Sequence, residues 1–360
     1  MKSSDEVILS ITGDGFTNSI TGWTDVRISR GIERMPNDFE ISMSEIFPGV
    51  DQIIAREGMA CTIDIGEDRI ISGWIDQVIN SIGPEEHPIR IVGRGYCQDL
   101  VDCSAVWQGG QFLNQTVLKI AQSLAKPFGI NVICENPGAA FPVVRMTPGE
   151  SPFAIISRLC MIRGLLCYED ENGDLNLSGV GSDGAAGGIQ EGVNVEHASL
   201  TLAMNQRFSD YTVLQQGAAF LFDATGNQSL AVYTAKDTLV PRFRPKYITV
   251  ENGDANEQVA IHRAQTEANR RLGRGHALTV GIDSWRDLDG DLWYPNTIVQ
   301  LDIPTLKISK QSWLIGEIDY TYGIQGKHCE MTIMPPGAFD VLPVLNQPIP
   351  ADMVHAFSTK

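Results

Sequence analysis

The chain is 360 residues long, 43% hydrophobic and 20% charged, with a formal net charge of −17. Such a length exceeds what one hydrophobic core serves, so two to four domains are expected. An acidic chain without a basic run is poorly suited to gripping nucleic acid, because phosphate binding needs clustered Lys and Arg that displace counterions.

The 35 glycines and 18 prolines are spread without a period and read as punctuation between short strands. In the first ninety-odd residues Val26, Ile28 and Ile32 alternate with Asp25, Arg27 and Ser29. Met59, Cys61, Ile63 and Ile65 repeat that period-two pattern, which predicts half-buried strands. The run Arg69 to Ile82 is long enough to bend around a barrel, with Gly73 as the bending point, and Ile89 to Val92 adds a strand. No helix is predicted here, and an antiparallel barrel-like domain over residues 1–95 is expected.

The pattern changes after Gly95. Asn114 is placed as the cap of a helix through Ala125, ended by Pro127 and Gly129, with a strand at Ile130 to Cys134. Ser151 and Pro152 make an N-cap and N1 pair for a second helix with Phe153, Ile156, Leu159 and Cys160 inward. Asn172-Gly173 predicts a type I′ turn between strands near Leu165–Glu169 and Leu175–Leu177. Residues 96–180 thus form a small α/β domain. VGSDGAAGGIQEG at 180–192 reads as a flexible linker.

Strands resume at Ser199–Met204 and Asp210–Gln215, and residues 217–235 read as a surface excursion. Asp254 and Glu257 have capping-box spacing for a helix whose body runs from Val259 to Leu272 and ends at Gly273 or Gly275. The strand pattern returns from Ala277 to Met334. These readings predict a second β-barrel-like domain over 181–216 and 276–336. An insertion with one long helix occupies 217–275, and 337–360 forms a proline-rich extended arm. The class is mixed α+β, mainly β. The two strand-rich regions can be distant copies of one barrel, although no short repeat is visible in the letters.

A search for chemistry finds little. No GxSxG, P-loop or HExxH occurs, and GDGFTNSITG lacks GxGxxG spacing and reads as a loop between strands. DLDGDLW at Asp287 to Trp293 lacks the loop-closing Glu of an EF-hand and reads as a tight turn. The histidines His87, His197, His262, His276, His328 and His355 show no metal spacing. Trp23, Trp74, Trp107, Trp285, Trp293 and Trp313 read mostly as packed strand residues. Arg270, Arg271 and Arg274 end the predicted helix, where cations offset the carbonyl dipole. The seven cysteines (Cys61, Cys97, Cys103, Cys134, Cys160, Cys167 and Cys329) include no CxxC pair and read mostly as small hydrophobes of a reducing cytoplasm. The opening MKSSDEVILSITGDG has no apolar core of signal length, and no apolar run approaches the ~18 residues of a membrane span. A soluble, non-enzymatic protein without catalytic, cofactor or metal residues is expected.

Six stretches carry a more specific signal. They are TGWTDVRISRGIERMPNDFEIS near the start, GRGYCQDLVDCSAVWQGGQF at 93–112, RFSDYTVLQQG at 207–217, RFRPKYI at 242–248, EANRRLGRG at 267–275 and LWYPNTIVQLDIP at 292–304. Together, and in order, they resemble the baseplate hub family of phage Mu and its prophage relatives. The resemblance implies a homotrimer whose protomers each give two related barrels to a pseudo-sixfold ring. That ring joins the sixfold tube of a contractile tail to a threefold membrane-puncturing spike. It further implies a virion component, made and assembled in the bacterial cytoplasm, with tail tube, spike and other baseplate proteins as partners and no cofactor. The alternatives are the hub of a type VI-like injection apparatus and a tail-associated cell-wall hydrolase.

Overall fold

The computed structural model describes residues 5–13, 16–44, 55–83, 88–106, 109–216, 230–250 and 257–339. Val7, Leu9 and Ile11 are buried along β1 (Val7–Gly13), which pairs antiparallel with β2 (Phe16–Ile20); of the GDGFTNSITG string, Gly13 ends β1 and residues 16–20 form β2, while 14 and 15 lie outside the described residues. β3 (Asp25–Gly31), β4 (Asp38–Ser44), β5 (Ala60–Ile65), β6 (Asp68–Asn80) and β7 (Pro88–Gly95) follow. The predicted alternation holds in β5, where Cys61, Ile63 and Ile65 point inward. It breaks down at the end of β3, where Ser29 and Arg30 are buried beside Ile28 because another strand covers that end.

β6 pairs with β5 through its first half and with β7 through its second, and a bulge at Asp76 turns it between them. The bend expected at Gly73 therefore falls three residues later. Gly73 serves close approach instead: a Cβ there would lie 2.0 Å from the Arg94 carbonyl oxygen.

After β7 come α1 (Gln98–Asp102), β8 (Gln111–Gln115), α2 (Val117–Ala125), β9 (Val132–Cys134), β10 (Phe141–Arg145), α3 (Pro152–Arg163), β11 (Leu166–Glu169) and β12 (Leu175–Ser178). They enclose their own core, with Val117, Ile120, Leu124, Ile155, Ile156 and Leu159 between the helices and two small sheets. The cap of α2 is Thr116, whose Oγ1 accepts from the Lys119 N–H at 3.4 Å, and not Asn114, which sits in β8 at φ 49°. Ser151 caps α3 as expected, its Oγ accepting from Ala154 N–H at 3.2 Å. Ile155 is buried in α3, while Phe153 is only partly covered. The β11–β12 turn is not type I′. Only Gly173 has positive φ (82°), because the Asp170 carboxylate accepts from the N–H groups of Asn172 and Asp174 and shapes a longer turn.

The glycine-rich stretch 180–192 is laced to the sheet and is no free linker. Gly181 N–H donates to Asn296 Oδ1 at 2.8 Å and Ala185 N–H to the Ile298 carbonyl at 2.8 Å. β13 (Ile189–Gln190) lies within it and buries Ile189. Its small residues permit close backbone approach: a Cβ on Gly181 would lie 1.9 Å from the Asn296 carbonyl oxygen.

β14 (Val195–Leu202), β15 (Asp210–Gln216), β16 (Leu230–Lys236), β17 (Pro245–Val250), α4 (Glu257–Arg274), β18 (His276–Ile282), β19 (Ile298–Ile303), β20 (Ile308–Gly323) and β21 (Gly326–Met334) complete the strands and helices. β15 forms a separate sheet with β16 and β17, on which α4 packs through Ala260 and Ala264 against Val213. The strand at 210–216, assigned from sequence to the second barrel, thus belongs with the insertion. The supposed excursion 217–235 ends in a strand, with 217–229 outside the described residues. Asp254 also lies outside them. The root of the expected arm is anchored: residues Pro336–Ala338 make a 3-10 turn, and Phe339 is buried against Ile32, Leu166 and Leu314. Residues 340–360 are not described.

The class is mixed α+β, mainly β, yet the two strand-rich regions do not form separate closed barrels among the described residues. They share one 13-stranded sheet with the order β14-β18-β21-β20-β3-β4-β7-β6-β5-β1-β2, while β19 adds to β20 and β13 to β19. One buried core contains side chains from both regions. The order repeats itself: β3-β4-β7-β6-β5-β1 in the first region matches β14-β18-β21-β20-β19-β13 in the second in chain order, with one difference of direction, since β1 joins β5 antiparallel and β13 joins β19 parallel. β20 even copies the β6 bulge. Ile75 faces Gly93 before the bulge at Asp76, and Ile315 faces Ile333 before the bulge at Gly316. The N–H of Gly58 bonds the Ile75 carbonyl and that of Asn296 the Ile315 carbonyl, and both residues have positive φ, 80° and 66°.

Candidate assembly surface

The two regions meet where β20 changes partner. Its first half pairs with β19 and its second half, Glu317 to Tyr322, pairs with β3 from Gly31 back to Val26. Gly316 is the corner, where a Cβ would lie 2.6 Å from the ring carbon Cζ of Phe339. The seam is charge-matched. Arg34 links Asp38 to Glu317 (2.6 Å), Arg27 pairs with Asp38 at 2.9 Å, and Ser29 donates to Asp319. Arg30, 4% exposed, reaches Glu171 at 3.3 Å and lies 5.0 Å from the Tyr294 ring centroid. Partly exposed pairs of this kind contribute at most about 1 kcal/mol each, so they set register more than strength.

Glu169 fastens the α/β unit to the sheet. Its carboxylate accepts from the Cys97 N–H at 2.8 Å and the Asn37 N–H at 3.0 Å, while Asn37 Nδ2 donates to the Glu169 carbonyl at 3.1 Å. Gly95 leaves room for it, since a Cβ there would lie 2.0 Å from a carboxylate oxygen. Burial pushes the Glu169 carboxyl up to about 7, against the pull of the Cys97 and Asn37 N–H groups and of Arg30.

The sequence candidates for chemistry are dispersed. In DLDGDLW, Asp287 Oδ1 accepts from the N–H groups of Asp289, Gly290 and Asp291, and Oδ2 from Ala186 N–H, so the string is a turn. His276 is buried with Nδ1 2.8 Å from the Leu272 carbonyl, and burial lowers its pKa. His328 lies 2.7 Å from Glu196, which raises its pKa, and His197 sits over Gly281. His87, His355 and Trp107, and the side chain of His262, lie outside the described residues. Of the described tryptophans only Trp74 and Trp313 stand in strands, but Trp23, Trp285, Trp293 and Trp313 are all buried with their indole N–H bonded. Cys61, Cys97, Cys160 and Cys329 are buried and Cys103 is exposed. Among the described residues no group of three or more His, Cys, Asp or Glu is placed to hold a metal.

The arginines at the end of α4 line a cleft together with Arg207 and Gln206. Arg270 and Arg274 pair with Glu33, Arg271 with Glu267, and Arg207 with the buried Asp237 at 2.8 Å. Arg270 and Arg274 thereby join the end of α4 to the first region, a role beyond the predicted dipole offset. What sequence reading missed is a pair of open strand edges. Among the described residues β14 pairs only with β18, and β6 beyond Ile75 pairs only with β7. Ile82 (84% exposed) and Leu202 (55%) stand on those edges. The signal was present in the letters as QVINSI at 77–82 and ASLTLA at 198–203, neither holding a charge.

A strand-built scaffold with a charge-matched internal seam and open edges defines a structural, assembly-forming class of protein. Three family descriptions match the chain: "Mu phage baseplate assembly protein GpP-like, N-terminal" over residues 6–95, "Baseplate hub protein gp44-like, second domain" over 97–179, and "Mu phage baseplate assembly protein GpP, fourth domain" over 256–342. The baseplate hub protein gp44 of Escherichia phage Mu is 31% identical over 308 residues, 83% of this chain and 80% of that protein. The 43 kDa tail protein of prophage MuSo2 from Shewanella oneidensis superposes with a TM-score of 0.81 at 29% identity, covering 93% of this chain and 99% of that one. A tail protein from Neisseria meningitidis MC58 has the same fold, with a TM-score of 0.76 and 19% identity over 92% and 98% of the two chains. The chain belongs to the Mu-type baseplate hub family. Its function is that of a phage-tail baseplate hub.

Proposed function

We propose that this hub works as a closed ring of three copies, joining the sixfold tube of a contractile tail to a threefold central spike. The observation that carries the reading is the repeated strand order: three chains with two equivalent halves present six equivalent units to a tube while keeping a threefold axis for a spike. Contacts that transmit contraction force should each bury well over ~1,000 Å². The net charge of −17 suits a passage that lets DNA slide, because a neutral or negative lumen does not bind phosphate. In this reading the protein is a virion component, made and assembled in the bacterial cytoplasm. It performs joining and no catalysis, holds no cofactor, and has no stable membrane insertion.

In this reading the ring-forming parts are 1–95 and 181–209 with 276–336; β15 goes with the insertion 217–275, and the α/β unit 96–180 lies outside the repeat. Light scattering on the full chain, alone and with the cognate spike protein, tests the reading. A mass of three times 39.4 kDa supports it, and a single-chain mass under both conditions overturns it. A peptidoglycan zymogram tests the joining-only role, where lytic bands count against it.

A further inference from the structure

We propose that the ring closes by strand pairing between copies: the outer edge of β14 in one chain adds to the open second half of β6 in the next, antiparallel, with Asn80 opposite Leu200. This rests on the ring reading above and specifies its contact.

The register follows from the repeat. Inside one chain Ile28 of β3 pairs with Phe39, which pairs with Gly93, the partner of Ile75 before the β6 bulge. In the other half Leu200 of β14 pairs with Leu278, which pairs with Ile333, the partner of Ile315 before the β20 bulge. Leu200 therefore stands where Ile28 stands. Within the chain Ile28 lies opposite Tyr320, four residues past the Gly316 bulge. Four residues past the Asp76 bulge is Asn80. The same step sets Val78 opposite Leu202, Ser81 opposite Ser199 and Ile82 opposite Ala198.

Burial and charge agree. Ile28 is fully buried under its partner strand, whereas its counterpart Leu200 is only partly covered, as are Val78 and Ala198. Natural proteins protect a free edge with charge, Pro or a covering element. The internal seam has charged residues on both strands, Arg27 and Arg30 on β3 and Glu317 and Asp319 on β20, but residues 77–82 and 198–203 carry no charge on either side. Two uncharged, unpaired edges of matching length, each equivalent to one half of an existing joint, are suited to each other. β2 is also an end strand, but it has no counterpart in the repeat and so no donor assigned to it. The contact is head-to-tail, which yields a closed ring when successive rotations complete a circle.

The test uses the full chain with Cys103→Ser, which removes the exposed thiol. Chains carrying Ser81→Cys are mixed with chains carrying Ser199→Cys and oxidised, then separated without reductant. A disulfide-linked two-chain band is expected, and pairing Ser81→Cys with Thr201→Cys should give at least about fivefold less, because diagonal neighbours lie ~7–8 Å apart. Ile82→Lys, at a site 84% exposed, should leave melting of the single chain unchanged and weaken assembly at least about tenfold. A trimer by light scattering without the Ser81–Ser199 crosslink overturns the register alone and leaves the ring reading standing. A single-chain mass, with or without spike, overturns both.

Discussion

Glu169 gives the fastening between the α/β unit and the sheet a pH dependence of definite sign. The carboxyl is 2% exposed, and burial lifts it from an ordinary 4.5 to about 7. Between those values the unfolded chain has released this proton and the folded chain still holds it. The folded state thus binds more protons, and stability falls as pH rises. A shift of this size corresponds to about 3 kcal/mol, fully present below pH ~4.5 and lost by the time pH passes ~7. Other groups change too, so the variant is the readout. Glu169→Gln removes the titration while keeping an acceptor for one of the two N–H groups. Thermal melts at pH 5 and pH 7.5 should show a drop for the wild type that exceeds the variant's by roughly 5 °C. Identical pH dependence in the two proteins would refute the assignment of Glu169 as a buried, proton-holding latch.

Further expectations concern packing and pairing. Gly73→Ala drives a Cβ into the Arg94 backbone and should cost about 3 kcal/mol or more in urea unfolding, whereas Gly109→Ala, with open space around it, should lose only the strain of its positive φ. Phe339→Ala should cost about 3–5 kcal/mol, since the ring is buried between the end of β3 and the β20 corner. Asp237→Ala leaves the Arg207 guanidinium buried and unpaired, which should cost about 3–5 kcal/mol by the same measurement. Cys103 should react first with a thiol reagent, ahead of Cys61, whose thiol burial pushes up to about 12. A low-salt gel shift should show no retention of DNA.

Local physics was readable from the letters wherever neighbours in sequence decide the outcome. The alternation at Cys61, Ile63 and Ile65 and the Ser151-Pro152 helix start both depend on contacts within a few residues. Composition misled where a distant partner intervened. Glycines at 181, 187 and 188 look flexible alone, yet each makes room for an atom of Asn296, Leu288 or Gln300. Asn172-Gly173 favours a type I′ turn until the Asp170 carboxylate captures the loop N–H groups. Asn114 is a good cap residue, but Thr116 stands where the helix begins. The merging of two strand-rich regions into one sheet was invisible because its seam joins residues 26–31 to 317–322. The open edges were legible only as missing charges, and an absence acquires meaning once the pairing is known.

That seam also orders events during synthesis. β3 leaves the ribosome early, but the strand that covers it ends at Gly323, close to three hundred residues later. At translation speeds of 5–20 residues per second the nascent chain carries β3 uncovered for roughly a quarter of a minute to a minute. The arginines at 27 and 30 sit on that waiting strand, and charge is what discourages two nascent chains from pairing prematurely.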